Sequence, residues 1–340
     1  MARKSAAKTP SIATVSPQAA IPGGEIRIHG KGFALGAPPR VSLGGVNAPL
    51  IVGSDSYLIA RVPEDAYENV VRVDSGDLSS TEWACDIGIP IADGVHPVAN
   101  PAIDPNGIVF TTFSGSRGQK TPTSVFRVDP HEGPAPFLTD IMNATGLAFD
   151  DAGTLYVSSR FDGIVYEVSP RGEMSVYVEG MGVATGIAFD PEGNLYVGDR
   201  SGTIFKISRG RQIYVYATLE PSIAAYHLAF GPDGYLYVTG PTTSSFDCVQ
   251  RVSTTGEVEV FYRGLGRPQG LAFDAEDNLY VAASMNGRRG VVRITPEREA
   301  SLFLSGPGIV GLAFSPTGST IVATSGMLYR VECGVLPRPL

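Results

Sequence analysis

Apolar residues recur along most of this chain in short runs, and one phrase returns five times: Thr145-Gly146-Leu147-Ala148-Phe149-Asp150, Thr185-Gly186-Ile187-Ala188-Phe189-Asp190, Tyr226-His227-Leu228-Ala229-Phe230-Gly231, Gln269-Gly270-Leu271-Ala272-Phe273-Asp274 and Val310-Gly311-Leu312-Ala313-Phe314-Ser315. Aligned on Gly146, the steps between copies are 40, 41, 43 and 41 residues, and a weaker sixth copy, Asn100-Pro101-Ala102-Ile103-Asp104, stands 46 residues upstream. Each phrase predicts a buried strand. A turn such as Asp190-Pro191-Glu192-Gly193 follows, then a second strand (Leu155–Val157, Leu195–Val197, Leu236–Val238, Leu279–Val281). Third strands are expected at Ile164–Val168, Thr203–Ile207, Val249–Val252 and Val291–Ile294, and fourth strands at Val176–Val178, Tyr214–Ala217, Val258–Tyr262 and Ser301–Leu304. In the turns Pro presets φ and Gly supplies positive φ. Turn formation accounts for those Asp residues, and none carries the spaced run of oxygen ligands that a calcium loop needs.

A four-stranded unit repeated at this period predicts a β-propeller of six blades. An open array would leave a sheet edge exposed. The last unit runs out after its third strand, Met327–Glu332, so its fourth strand is expected from residues near 86–92. That alignment also brings Cys85 and Cys333 close together, as a reduced pair. Deleting residues 1–93 is expected to unfold the propeller, and deleting only 1–80 to spare it.

Before the repeats the pattern changes. Residues 1–8 read as disordered. From 9 to 88, strands are expected around Ile12–Val15, Glu25–Phe33, Val41–Leu43, Leu58–Val62, Val70–Val73 and Glu82–Ile87. In Glu25–His29 apolar and polar residues alternate, the mark of a half-buried strand. Many short strands in about 80 residues describe a small β-sandwich. Residues 89–334 then form the propeller, and 335–340 a tail.

Two resemblances sharpen this all-β reading. The Ile12-x-x-Val15-x-Pro17 start, the Gly24 to Phe33 block and Leu58-Ile59-Ala60-Arg61-Val62-Pro63 closely resemble an IPT/TIG domain, an immunoglobulin-like module that spaces or binds. The repeated Gly-Leu-Ala-Phe-Asp-x-x-Gly-x-Leu-Tyr-Val phrase resembles NHL repeats and the six-bladed propellers that include gluconolactonase and regucalcin. Those lactonases hold a divalent metal with a Glu, an Asn and an Asp. Carried over by position, the three fall on Ala99, Tyr226 and Gln269, which supply no hard donor set. The resemblance therefore implies the fold, with no metal or other cofactor.

Composition removes further classes. The 340 residues hold 41 Gly and 26 Pro, which suits many tight turns, and the net charge of −8 lacks the cationic face of a nucleic-acid binder. No run of 18 apolar residues predicts a membrane span, and Met1–Lys8 has no apolar region of the kind a secretory signal needs, so a cytoplasmic protein is expected. The cysteines Cys85, Cys248 and Cys333 form no Cys-x-x-Cys pair.

In such a blade, the loops before first strands and after second strands open on one face around the central channel. The former supply His96, Asn100, Asn143, Thr145, Thr185, Tyr226, His227, Arg267 and Gln269; the latter supply Arg117, Arg160, Asp162, Asp199, Arg200, Asp247, Asn286 and Arg288. Two of the four histidines and several arginines share this face, which suits an anionic or polyhydroxylated ligand. A small molecule or protein partner bound at the mouth, with the sandwich as spacer or second contact, is the expected function. The alternative is a lactone or ester hydrolase with His96 or His227 as base and Asp199 or Asp162 as its orienting carboxylate, His227 and Asp199 foremost. No Gly-x-Ser-x-Gly elbow offers it a nucleophile.

Overall fold

The computed structural model describes residues 9–35, 37–129, 132–243 and 247–338, so the stretch 1–8 expected to be disordered lies outside the described residues. Every regular element described is a strand, and no helix is long and apolar enough to cross a membrane. Eight sheets result.

Two sheets make up the N-terminal unit. One runs Ser11–Ser16, Glu25–Lys31, Tyr57–Arg61, Leu50–Gly53; the other runs Trp83–Ala84, Val70–Ser75, Pro39–Leu43, Val46–Ala48, with Leu78–Ser79 alongside. Alternation puts Ile26, Ile28 and Leu58 of the first against Val41, Leu43, Val71 and Val73 of the second in one dry core. Each such aliphatic side chain contributes about 1.5–3 kcal/mol through burial.

The remaining six sheets follow the repeat. Sheet I comprises Ala102–Ile103, Val109–Thr112, Val125–Asp129 and Gly133–Leu138; sheet II, Ala144–Phe149, Leu155–Ser159, Ile164–Val168 and Met174–Val178; sheet III, Ala184–Phe189, Leu195–Asp199, Thr203–Ile207 and Ile213–Thr218. Sheet IV comprises His227–Phe230, Leu236–Thr239, Asp247–Val252 and Val258–Leu265; sheet V begins with Leu271–Phe273, Leu279–Met285, Arg288–Ile294 and Ala300–Ser305. Sheet VI comprises Ile309–Phe314, Thr320–Thr324 and Met327–Val331, and its outer strand is Ile89–Asp93, antiparallel to the last with Ile89 opposite Arg330. First strands of successive sheets touch, and Ala102–Ile103 touches both Ala144–Phe149 and Ile309–Phe314.

The repeated phrase is a packing device. The glycine that opens it lies where one sheet meets the next: a Cβ on Gly186 would sit 2.4 Å from the Tyr226 carbonyl oxygen, and one on Gly311 would sit 2.5 Å from that of Ala99. The tyrosine of Leu-Tyr-Val fills the space between sheets. Tyr196 meets Phe230 of sheet IV and Tyr216 of its own sheet edge-on, with centroids 4.9 and 4.8 Å away; Tyr156, Tyr237 and Tyr280 repeat the arrangement. Edge-to-face pairs of this kind add about 0.5–1.5 kcal/mol each. The tyrosine hydroxyl donates to the turn aspartate, as Tyr196 does to Asp190 at 3.1 Å, and Asp190 also accepts from the Asn194 backbone and side chain. Those aspartates thus hold their hairpins and the tyrosines above them.

Two features depart from the expected organisation. The N-terminal unit is not a separate bead: Ala19–Ala20 adds in parallel to Ala300–Ser305 at the outer edge of sheet V, and Asp86–Ile87 adds in parallel to Ala19–Ala20. Ile21 donates to the Ser305 carbonyl and is 1% exposed in the core holding Tyr280, Leu304 and Ile309. Removing residues 1–80 would strip this edge and empty the Ile21 site, which corrects the expectation that such a deletion is harmless. The stretch expected as a tail is also engaged, since Pro337 bridges to Asp274 and Arg338 donates its backbone N–H to Phe273. Cys85 and Cys333 are free thiols. Burial, then Asp86 and Cys333, push the Cys85 thiol up to about 12, which marks the two cysteines as neighbours.

Candidate functional site

Loops from several sheets converge at the predicted face. Arg160 follows the second strand of sheet II, and its guanidinium donates to the Gly115 carbonyl at 2.9 Å while its buried Nε has no partner. The loop that carries Arg117 is held by Asn143, whose amide donates to the Gly115 and Ser116 carbonyls and accepts from Gly118 N–H. Burial lowers the Arg160 pKa, and the nearby charges of Arg200 and Arg117 lower it further. A guanidinium keeps its charge under such pressure. Arg200 and Arg117 thus lie near enough to bear on Arg160, and none of the three pairs with a carboxylate among the described residues.

A cavity of about 310 Å³ opens here, walled by His96, Arg160, Thr185, Arg200 and Gln269, with Pro97, Ile223 and Val310 among its apolar parts. A second, of about 370 Å³, adjoins it through the shared Gln269, Val310 and Ser325, and adds Arg267, Ser284 and Arg289. Asp199, on the second strand of sheet III just before Arg200, is committed elsewhere: it accepts from Val183 N–H, Ser201 N–H and the Ser201 hydroxyl. Asp162 accepts from the Tyr166 hydroxyl. The site is a cationic hollow in a chain whose net charge is −8.

The other predicted lining residues separate into clear groups. His96, Arg160, Thr185, Arg200 and Gln269 wall the first cavity and Arg267 the second; Arg117 reaches the group through Arg160. Asn143, Thr145, Tyr226 and Asn100 wall neither cavity and spend polar atoms on neighbouring backbone. Thr145 donates to the Asn143 carbonyl, the buried Tyr226 hydroxyl to the Glu220 carbonyl, and Asn100 joins the Leu271 carbonyl to the Leu312 N–H, tying sheets V and VI together. Asn286, with φ 50°, and Gly287, with φ 75°, close a two-residue hairpin outside both cavities. Positive φ at both turn positions is what that hairpin requires.

His227 stands where sheets II, III, V and VI carry glycine. It is 3% exposed, its Nε2 has no partner, and burial pushes its pKa down to about 4, so the imidazole is neutral. It walls neither cavity and has no hydrogen bond with Asp199, whereas His96, the other candidate base, walls the first cavity. The metal positions inferred by resemblance fit no metal either: Ala99 is a buried methyl, Tyr226 is bonded away, and Gln269 alone faces the cavity. Among the described residues no group of three His, Cys, Asp or Glu side chains is placed to hold an ion.

Sequence reasoning missed Arg289. Alternation across the hairpin sends Arg288 to the N-terminal unit, where it donates to the Ser16 and Glu25 carbonyls, while Arg289 walls the cavity. The Arg288-Arg289 pair was visible, but which member faced the mouth depended on register.

The sequence model of the strictosidine synthase-like N-terminal family matches residues 186–207, the first three strands of sheet III. No curated protein matches the sequence. Among solved structures, a candidate gluconolactonase superposes with TM-score 0.62 at 18% identity, covering 75% of this chain and 94% of its own. An auxiliary nutrient binding protein from Bacteroides thetaiotaomicron gives 0.57 at 12% identity, covering 96% and 98%. A catalytically inactive virginiamycin B lyase from Staphylococcus aureus, solved with quinupristin, gives 0.52 at 14%, covering 95% and 94%. At these identities the likeness establishes a propeller fold.

Proposed function

We propose that this chain is a binding protein that takes a small anionic molecule at the mouth of a closed, six-bladed propeller. The N-terminal unit is an immunoglobulin-like sandwich of the IPT/TIG kind, and the sheets are NHL-type blades. Closure is supported by contact between the first strands of sheets I and VI, by Asn100 tying sheets V and VI together, and by Ile89–Asp93 as the outer strand of sheet VI. The observation that carries the ligand class is that Arg160 and Arg200 wall one cavity with no carboxylate partner among the described residues, with the charge of Arg117 near enough to bear on Arg160. Like charges held near one another repel, and an anion that receives charge-assisted hydrogen bonds from them relieves that repulsion and gains affinity from it. A hydrolase of the lactonase type is the second reading, and the bonded-away Tyr226 and buried Ala99 stand against it.

The test is calorimetric titration with galacturonate and with glucose 6-phosphate. Saturable binding of at least one is expected, weakened about tenfold or more in Arg160→Gln because a charge-assisted hydrogen bond is lost. Binding should also weaken as salt rises. Absence of saturable binding by either compound, or equal affinity in the variant, would refute the reading.

A further inference from the structure

The arginine lining does not stop at the axis. The second cavity shares Arg289 and Gly306 with a third, of about 450 Å³, at the junction with the N-terminal unit, walled by Gly23, Gly24, Glu25, Arg61, Arg288 and Ser305 among others. Three hollows thus share walls in succession, from Arg160 and Arg200 through Arg267 and Arg289 to Arg288 and Arg61. Among the described residues the only carboxylate lining them is Glu25, which pairs with Arg61 at 3.4 Å. Arg267 and Arg289 have no ion-pair partner among the described residues. From the first strand of sheet V to Ala19–Ala20 is four inter-strand steps. At about 4.8 Å per step the part of the trough that crosses sheet V is roughly 19 Å long.

We propose that this trough binds an acidic oligosaccharide, its carboxylates taken in turn by guanidiniums along the path and its far end held by the N-terminal unit. The proposal rests on the anion-binding reading of the axial cavity and extends it to a chain-like ligand. Arginine forks match carboxylates in pairs. Between them the walls present Gln269, Ser284 and Ser325 together with glycine backbone, which pair with sugar hydroxyls. The cationic path on an acidic protein also steers a polyanion along its length. In this arrangement Arg61 contacts the ligand, so the N-terminal unit is part of the site.

The experiment compares galacturonic acid with its trimer and tetramer by calorimetry, on the intact chain and on Arg61→Gln. Arg61 is half exposed, so its replacement leaves the fold intact. The tetramer is expected to bind the native chain about tenfold or more tighter than the monomer. Arg61→Gln should lose most of that gain and keep the affinity for monomer, whereas Arg160→Gln should weaken both. Equal affinity for monomer and tetramer, or a gain that survives whole in Arg61→Gln, would overturn the trough while leaving the axial site standing. Failure of monomer and tetramer alike would overturn the trough, and the axial reading falls with it if glucose 6-phosphate fails too. A poly-glutamate of matched charge that reproduces the gain would overturn the assignment to sugar.

Discussion

His227 offers the sharpest test of the geometry, because its effect has a sign and a window. Burial alone lowers its pKa from 6.5 to about 4. In the folded chain the imidazole stays neutral where the unfolded chain has already taken a proton. Stability is therefore complete above pH 6.5 and drains away as pH falls toward 4, because the unfolded state binds the additional proton. From the two pKa values the loss is about 2 kcal/mol at pH 5 and about 3 kcal/mol at pH 4. The measurement is urea denaturation of the native chain and of His227→Gln at pH 7.5, 6 and 5. Carboxylates titrate in both proteins, so the difference between their pH profiles isolates one imidazole. The native chain is expected to lose about 2 kcal/mol more than the variant between pH 7.5 and 5. Parallel profiles would mean that the ring is solvated or paired in solution, and would refute its placement between sheets.

Two further outcomes follow from the packing. Gly186→Ala puts a methyl 2.4 Å from the Tyr226 carbonyl and is expected to cost about 2 kcal/mol or more, read as a lower denaturation midpoint; an unchanged midpoint would show that the sheets are not this close. Ile21→Ala is expected to cost about 2–4 kcal/mol, and truncation of residues 1–80 to lower the thermal midpoint of the remainder, since Ile21 belongs to the core of sheets V and VI.

Much of the fold was legible because the repeat records a contact made many times. The glycine, the Leu-Tyr-Val tyrosine and the turn aspartate recur because each inter-sheet space needs a thin backbone, a large ring and an anchor for its hydroxyl. Where the contact is made once, the sequence carries no echo of it. Ala19–Ala20 has neither β-branched residues nor alternation, and it becomes a strand only because the edge of sheet V offers free carbonyls and N–H groups. The site was half legible for the same reason. Placement after a second strand was enough to put Arg160 and Arg200 on the wall of the first cavity. It was blind to Arg289, whose aim depends on hairpin register, and it did not foresee that Asn143, Thr145 and Tyr226 spend polar atoms on neighbouring backbone.

The shared edge of sheet V has a mechanical consequence. A sandwich tethered by a flexible linker would swing freely, and a ligand touching both bodies would have to immobilise it. Here Ala19–Ala20, the segment between the first two long strands of the sandwich, is itself hydrogen-bonded to the outer edge of sheet V, so tugging on the sandwich pulls directly on that edge. Any load, proteolytic cut or partner that peels away the segment around Ala19 would begin to unzip sheet V from its outer edge.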